Sequence, residues 1–135
     1  MVELRNISKS FSSKKVLRDI NLKLEKGKVY GLFGPNGVGK TTLLKIMAGY
    51  NKKTSGEYLI DDQEFTYKDK NNITFISDKE IFYSWMKVKD AVLYYKDFFE
   101  DFDEEKCEKL LNLMKLEMEE KINILSKGMK ARLKV

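Results

Sequence analysis

The chain has 135 residues, of which 42% are apolar and 35% are charged, and it contains no histidine. This length and composition are typical of one globular domain with a hydrophobic core. The absence of histidine excludes Ser–His and Cys–His nucleophile pairs, His-based general-base catalysis and most zinc sites. The lone Cys107 cannot form an internal disulfide, which favours a cytoplasmic setting. No apolar run approaches the ~20 residues needed to span a bilayer.

The formal net charge of +5 comes mainly from lysines. These lysines alternate with acidic residues along the chain, as in "KDFFEDFDEEKCEKL" at 96–110. Such mixing favours a solvated surface over a surface that follows a nucleic-acid backbone, which is the alternative interpretation.

The first part of the chain reads as strands. Alternating apolar residues at 20–24, and a similar start at 2–4, predict two half-buried strands. The run "VYGLF" at 29–33 lacks this alternation and predicts a strand buried on both faces, as in a parallel sheet. Two further short strands are predicted at 55–62 and 72–77.

Helical spacing appears in three places. A helix is predicted from Thr41, with Gly49 as its C-cap. The apolar face of a second helix includes Val88 and Phe98, and Asp103 is a suitable N-cap for a third. We therefore predict one domain in three parts: a β-rich core at 1–86, a helical part at 87–125, and a helix start at 126–135.

Between the predicted buried strand and the first helix lies "GPNGVGKTT", in which Gly34, Gly39, Lys40 and Thr41 match the P-loop pattern in full. Glycines allow the loop to wrap a polyphosphate with its backbone N–H groups, and the helix N-terminus adds partial positive charge. Lys40 supplies a full charge, the Thr41 hydroxyl can ligate Mg²⁺, and Thr42 can bind the α-phosphate. The predicted ATP-binding residues of this loop are Gly34, Pro35, Asn36, Gly37, Val38, Gly39, Lys40, Thr41 and Thr42, with Lys40 as the catalytic residue.

The stretch at 7–61, from "ISKSF" to "GEYLID", closely resembles the ATP-binding subunits of ABC transporters, in which the P-loop is called Walker A. The resemblance implies an α/β P-loop NTPase fold, with an N-terminal antiparallel β-subdomain and a helical subdomain on a RecA-like core. Phe11 falls where the family carries an aromatic residue that stacks on adenine. An ordinary core aromatic is the alternative for this position.

Two later motifs continue the resemblance. The family's Q-loop falls at "ITFISDKEIFYSW", where Asp78 replaces the usual Gln. Asp78 could reach Mg²⁺ through water, or it could be a surface acid. Leu125–Met129 ("LSKGM") aligns with the signature motif, and Lys40 and Ser126 are 86 residues apart, as this family requires. In the family, the signature faces the γ-phosphate held by a second subunit, which assigns that role here to Ser126, Lys127, Gly128 and Met129.

The aromatic cluster after the Q-loop falls where family members receive the coupling helix of the transmembrane subunit. We expect it to dock that partner, through Phe82, Tyr83, Trp85 and Met86. A buried core cluster is the alternative. The docking hypothesis predicts that Trp85 is substantially exposed to solvent.

The resemblance implies an ATPase that uses ATP and Mg²⁺, pairs with a second ATP-binding subunit and lies peripherally at the inner face of the cell membrane. The substitutions Lys127 and Met129 resemble ABC-2-type exporters. A soluble ABC-type ATPase acting on nucleic acid or the ribosome is the alternative, although no nucleic acid is expected. A GTPase or a small-molecule kinase would need further motifs that bind guanine or the substrate, and this sequence contains none of them.

The family pattern continues beyond the signature into Walker B, a D-loop and a switch histidine, none of which this sequence contains. We therefore expect the chain to be an N-terminal portion that ends before Walker B. Such a portion should bind ATP weakly, hydrolyse it poorly and expose strand edges that favour self-association.

Overall fold

The computed structural model describes residues 1–77, 79 and 81–134. The chain divides into two compact units, Met1–Phe75 and Ile76–Val135. The change of sequence character predicted at residue 86 therefore lies inside the second unit. No helix in the described part of the chain is both long and apolar enough to cross a membrane.

The first unit contains a four-stranded, fully antiparallel sheet with strand order β2-β1-β3-β4. The strands are β1 (Val2–Phe11), β2 (Lys14–Leu24), β3 (Ser55–Ile60) and β4 (Gln63–Glu64). The strands predicted near 2–4, at 20–24 and at 55–62 are thus confirmed.

Helix α1 (Lys40–Met47) belongs to the same unit, and Leu43 and Ile46 are its buried residues. They form a core with apolar residues of the strands, because alternating strand residues and helical i, i+3 spacing each collect on one face. The buried members of this core are Leu4, Ile7, Leu17, Leu43, Ile46 and Tyr58. The Tyr58 hydroxyl donates a 2.6 Å hydrogen bond to the Met47 carbonyl, and burial raises the pKa of Tyr58 to about 12.

Two predicted strands are wrong. Residues 29–33 and 72–77 form no strand, and within the first stretch Val29 is 101% and Phe33 is 91% exposed. A strand requires a neighbour that supplies hydrogen-bond partners. Among the described residues no strand pairs with either segment, so an apolar composition alone does not make them strands.

The second unit is helical, with α2 (Val88–Phe98), α3 (Glu104–Met114), a 3₁₀ turn (Ile122–Ile124) and α4 (Lys127–Leu133). The predicted cap is confirmed, since the Asp103 side chain accepts a 2.9 Å hydrogen bond from the Lys106 N–H. The apolar face of α2 is buried at Val88 and Ala91, whereas Phe98 at its end is exposed. The buried core residues of the unit are Met86, Val88, Ala91, Leu111, Leu116, Ile122, Leu125 and Leu133.

Glu119 lies in the loop before the 3₁₀ turn and forms ion pairs with two lysines at the start of α2. Its carboxylate accepts 2.6 Å hydrogen bonds from the ammonium groups of Lys87 and Lys89, which lower the pKa of Glu119 to about 2. Because the pKa is depressed in the folded state, the stabilisation is present above the ordinary Glu pKa and is lost as the pH falls towards 2.

We therefore expect Glu119→Gln to destabilise the second unit slightly at pH 7, and the difference from the wild type to shrink between pH 4.5 and 2. Glu119 is largely exposed and the two lysines are partly exposed, so the effect should also weaken in high salt. Urea unfolding followed by the native amide cross-peaks of α2 across this pH range measures it. A difference that is independent of pH would contradict the assignment.

Candidate nucleotide-binding site

The P-loop runs directly into the N-terminus of α1. Gly39 is the N-cap of this helix and has no side chain to cap it, while its carbonyl accepts the first helical hydrogen bond from the Leu43 N–H at 2.9 Å. The first-turn N–H groups of a helix have no intrahelical partner. With no capping side chain to accept them, they can donate to a bound anion.

Gly39 is required at this position for two reasons. Its φ of +107° lies in the region that favours glycine. In addition, a Cβ atom would lie 2.7 Å from Leu17 Cδ2 and 3.2 Å from the Val16 carbonyl oxygen. Strand β2 therefore packs directly against the loop, and this contact holds the start of α1 in place.

Lys40 curls back over the loop. Its ammonium donates hydrogen bonds to the carbonyl oxygens of Gly34 at 2.6 Å and Pro35 at 2.7 Å. The charge is thus held against the same loop whose glycines, at 34, 37 and 39, all have positive φ. A cation beside backbone donors suits a polyphosphate.

The hydroxyl groups that follow complete this set of donors. Thr41 is exposed and Thr42 is half-buried. No group of three or more acidic, Cys or His side chains among the described residues could hold a metal ion alone. In a P-loop the Ser/Thr hydroxyl can ligate Mg²⁺ beside the phosphates, and this role of Thr41 stays a prediction.

Phe11 ends β1 with its ring 47% exposed, so it is not the buried core aromatic that was the alternative. The Lys9 ammonium lies 4.6 Å from the ring centroid, within cation–π distance. An open ring is compatible with the predicted stacking on adenine, which stays a prediction. Sequence reasoning missed Lys9, whose position two residues earlier on the strand places it on the same face.

The signature residues lie in the second unit, at the start of α4. Ser126 is its N-cap, and the Ser126 side chain accepts a 3.2 Å hydrogen bond from the Met129 N–H. Lys127 and Gly128 are exposed, whereas Met129 packs partly against the core of the unit. Asp78 lies outside the described residues.

The structure separates the aromatic cluster after the Q-loop into two groups. Tyr83 and Trp85 stack on each other with ring centroids 5.9 Å apart, and both are exposed, Trp85 by 70%. The exposure predicted for Trp85 is thus confirmed. Met86 is buried in the core, and Phe82 packs against that core. The expectation that Met86 docks the partner is therefore wrong, because its side chain is not accessible.

Trp85 is the only tryptophan of the chain, so its fluorescence reports this surface directly. We expect iodide to quench the native protein nearly as strongly as the urea-unfolded chain, because the indole is open to solvent. Stern–Volmer titrations in both states measure this. A native indole protected from iodide would contradict the exposed surface.

A family model described as ABC transporter matches residues 17–135. The ABC transporter ATP-binding protein YtrB of Bacillus subtilis is 34% identical over 98% of this chain, which corresponds to 46% of YtrB. The chain spans less than half the length of such curated relatives.

Two solved structures have the same fold. A Pyrococcus furiosus protein described as an ABC transporter ATP-binding protein has a TM-score of 0.80 at 30% identity, covering 98% of this chain and 66% of its own. A dimeric ATP-binding cassette, MJ0796, bound to ADP and Pi, has a TM-score of 0.70 at 23% identity, over 98% of this chain and 66% of that one. Together with the P-loop, the family match shows that this chain belongs to the ATP-binding domains of ABC transporters.

Proposed function

We propose that the protein binds and hydrolyses ATP to power a membrane transporter. The observation that carries this proposal is the complete P-loop on α1, with the Lys40 ammonium held against the loop carbonyls. In this proposal the loop Gly34–Thr42 binds the phosphates, Phe11 stacks on adenine, and Lys40 neutralises charge that develops during phosphoryl transfer. Thr41, with Asp78 through water, would hold Mg²⁺, which supplies further neutralisation of the phosphate oxygens.

The proposed working state is a head-to-tail dimer with ATP bound between two subunits. Ser126, Lys127, Gly128 and Met129 of one copy would face the γ-phosphate on the P-loop of the other. Two observations support this proposal: the cap at Ser126 leaves the start of α4 ordered and exposed, and a cassette of the same fold has been solved as a dimer.

Gly128 offers a direct test of this dimer, because a Cβ atom there would meet nothing within 4 Å and its φ is not positive. We expect Gly128→Asp to abolish MgATP-dependent dimerisation while the P-loop still binds ATP, since a carboxylate opposite the γ-phosphate is repelled. Gly128→Ala is the neutral control and should dimerise. Sedimentation velocity with and without MgATP measures both variants, and ATP-driven dimers of Gly128→Asp would contradict the proposal.

We further propose that Tyr83 and Trp85 dock the transmembrane partner at the inner face of the membrane. Exposed stacked aromatics are typical of interface anchors, and the turn that carries this pair is tied to the core residue Met86, whose N–H donates a 3.1 Å hydrogen bond to the Tyr83 carbonyl. The resemblance of Lys127 and Met129 to ABC-2-type exporters favours export as the direction of transport.

A further inference from the structure

A cavity in the first unit lies between the C-terminal end of α1 and the segment that follows β4. Its volume is about 540 Å³, the size of a pocket for a small ligand. None of the P-loop residues lines it. The cavity therefore has no part in the ATP site described above.

The floor of the cavity is aromatic and firmly held. The rings of Tyr58 and Phe65 stack with centroids 4.5 Å apart and planes 7° apart. The Tyr58 hydroxyl is fixed to the Met47 carbonyl, and the Phe65 N–H donates a 2.8 Å hydrogen bond to the Tyr58 carbonyl. Tyr58 itself is buried, so the half-buried Phe65 ring provides the apolar floor, which these contacts hold in place.

The walls are basic and aromatic. The Lys70 ammonium lies 4.5 Å from the centroid of Tyr67 and 6.0 Å from that of Tyr50, both largely exposed rings. Lys52 and Lys53 complete the basic wall, and Glu64, 3.7 Å from the Lys53 ammonium, is the one acidic lining residue. Three lysines against one carboxylate leave a net positive lining.

The wall that carries Lys70 is ordered by a local capping box. The Asp69 carboxylate accepts hydrogen bonds from the Thr66 N–H at 2.6 Å and the Thr66 hydroxyl at 2.8 Å, at the start of the 3₁₀ turn Tyr67–Asn72. The Asp69 carboxylate is therefore hydrogen-bonded to both the backbone and the side chain of Thr66, and it holds the turn that carries Lys70.

We propose that this cavity binds a small planar anion, an aromatic ring that carries a phosphate or carboxylate group. The anionic group would pair with Lys70 and its neighbouring lysines, and the ring would stack on the tyrosines. A cavity with an apolar floor favours a small molecule over an extended polymer, which would need a basic groove running along the surface.

The test titrates the whole chain with 1-naphthyl phosphate as the probe. Binding is measured from the amide chemical shifts of the protein. We expect saturable shifts at 46–53 and 64–70 and none at 34–42, where ATP would act. Lys70→Gln should weaken binding about tenfold, since one charge-assisted contact is lost. Tyr67→Leu should weaken it about threefold.

Lys68→Gln is the matched control, because it removes the same charge from the same turn at an exposed residue that does not line the cavity. It should bind like the wild type. Equal weakening by Lys68→Gln and Lys70→Gln would overturn the proposal, because it would mean that net charge alone attracts the probe. The proposal would also be overturned if an eight-nucleotide oligothymidylate shifted the amide signals at 46–53 and 64–70 while 1-naphthyl phosphate did not.

Discussion

Replacing Lys40 with alanine is expected to reduce the affinity of the chain for MgATP at least ~100-fold. A lysine that meets two phosphates makes more than one charge-assisted hydrogen bond, each of which contributes about 1.5–3 kcal/mol. A loss of about 3 kcal/mol corresponds to roughly two orders of magnitude in the dissociation constant. Isothermal titration calorimetry on the 135-residue chain measures it.

Two controls separate charge from fold in this experiment. Lys45→Ala removes a positive charge from the last turn of the same helix and should leave the affinity nearly unchanged. Lys40→Ala also loses the hydrogen bonds to the Gly34 and Pro35 carbonyls, so the variant's amide spectrum must show that β1, β2 and α1 remain folded. A folded Lys40→Ala chain with wild-type affinity would contradict the assigned role of the P-loop.

The helices and strands that were predicted correctly are those determined by residues close together in the sequence. The period-two alternation predicted β1 and β2, helical spacing predicted α1, α2 and α3, and a short polar residue predicted the cap at Asp103. In each case the residues that determine the element are within a few positions of one another. The P-loop pattern is local in the same way, since its residues are consecutive, and its binding of ATP stays a prediction.

The failures depend on distant partners. An apolar run such as 29–33 has strand composition, but only a hydrogen-bonded neighbour makes it a strand, and composition does not reveal whether one is present. The aromatic cluster fails similarly. Met86 and Trp85 are adjacent in sequence, yet one is buried and the other exposed, because Met86 faces the core built by residues up to 47 positions away.

The structure shows that residue 56 must be glycine, a requirement that the sequence did not predict. It lies in β3 with a φ of +95°, and a Cβ atom there would be 2.5 Å from the Asn6 carbonyl oxygen and 2.6 Å from that of Arg5. The pairing of β1 with β3 shifts register between Arg5 and Ser8, opposite this glycine. The irregularity in β1 thus brings its backbone into the space that a side chain at residue 56 would occupy.

We expect Gly56→Ala to lower the free energy of unfolding of the first unit by about 3–5 kcal/mol. The unfavourable φ contributes about 1–3 kcal/mol and the overpacking a similar amount. The obstructing atoms are backbone of β1, a strand paired on both sides, and the Asn6 N–H is itself held by the Asn21 side chain at 2.9 Å. Relief by movement would therefore break other hydrogen bonds.

Gly27→Ala is the matched control, because Gly27 also has a positive φ, +73°, but nothing lies within 4 Å of a Cβ atom there. It should cost only about 1 kcal/mol, the conformational part of the effect. Since Trp85 lies in the other unit, the readout must be amide exchange in β1 and β3 during urea unfolding. Equal losses in the two variants would show that the contact with Asn6 and Arg5 contributes nothing, and that only the positive φ requires glycine at residue 56.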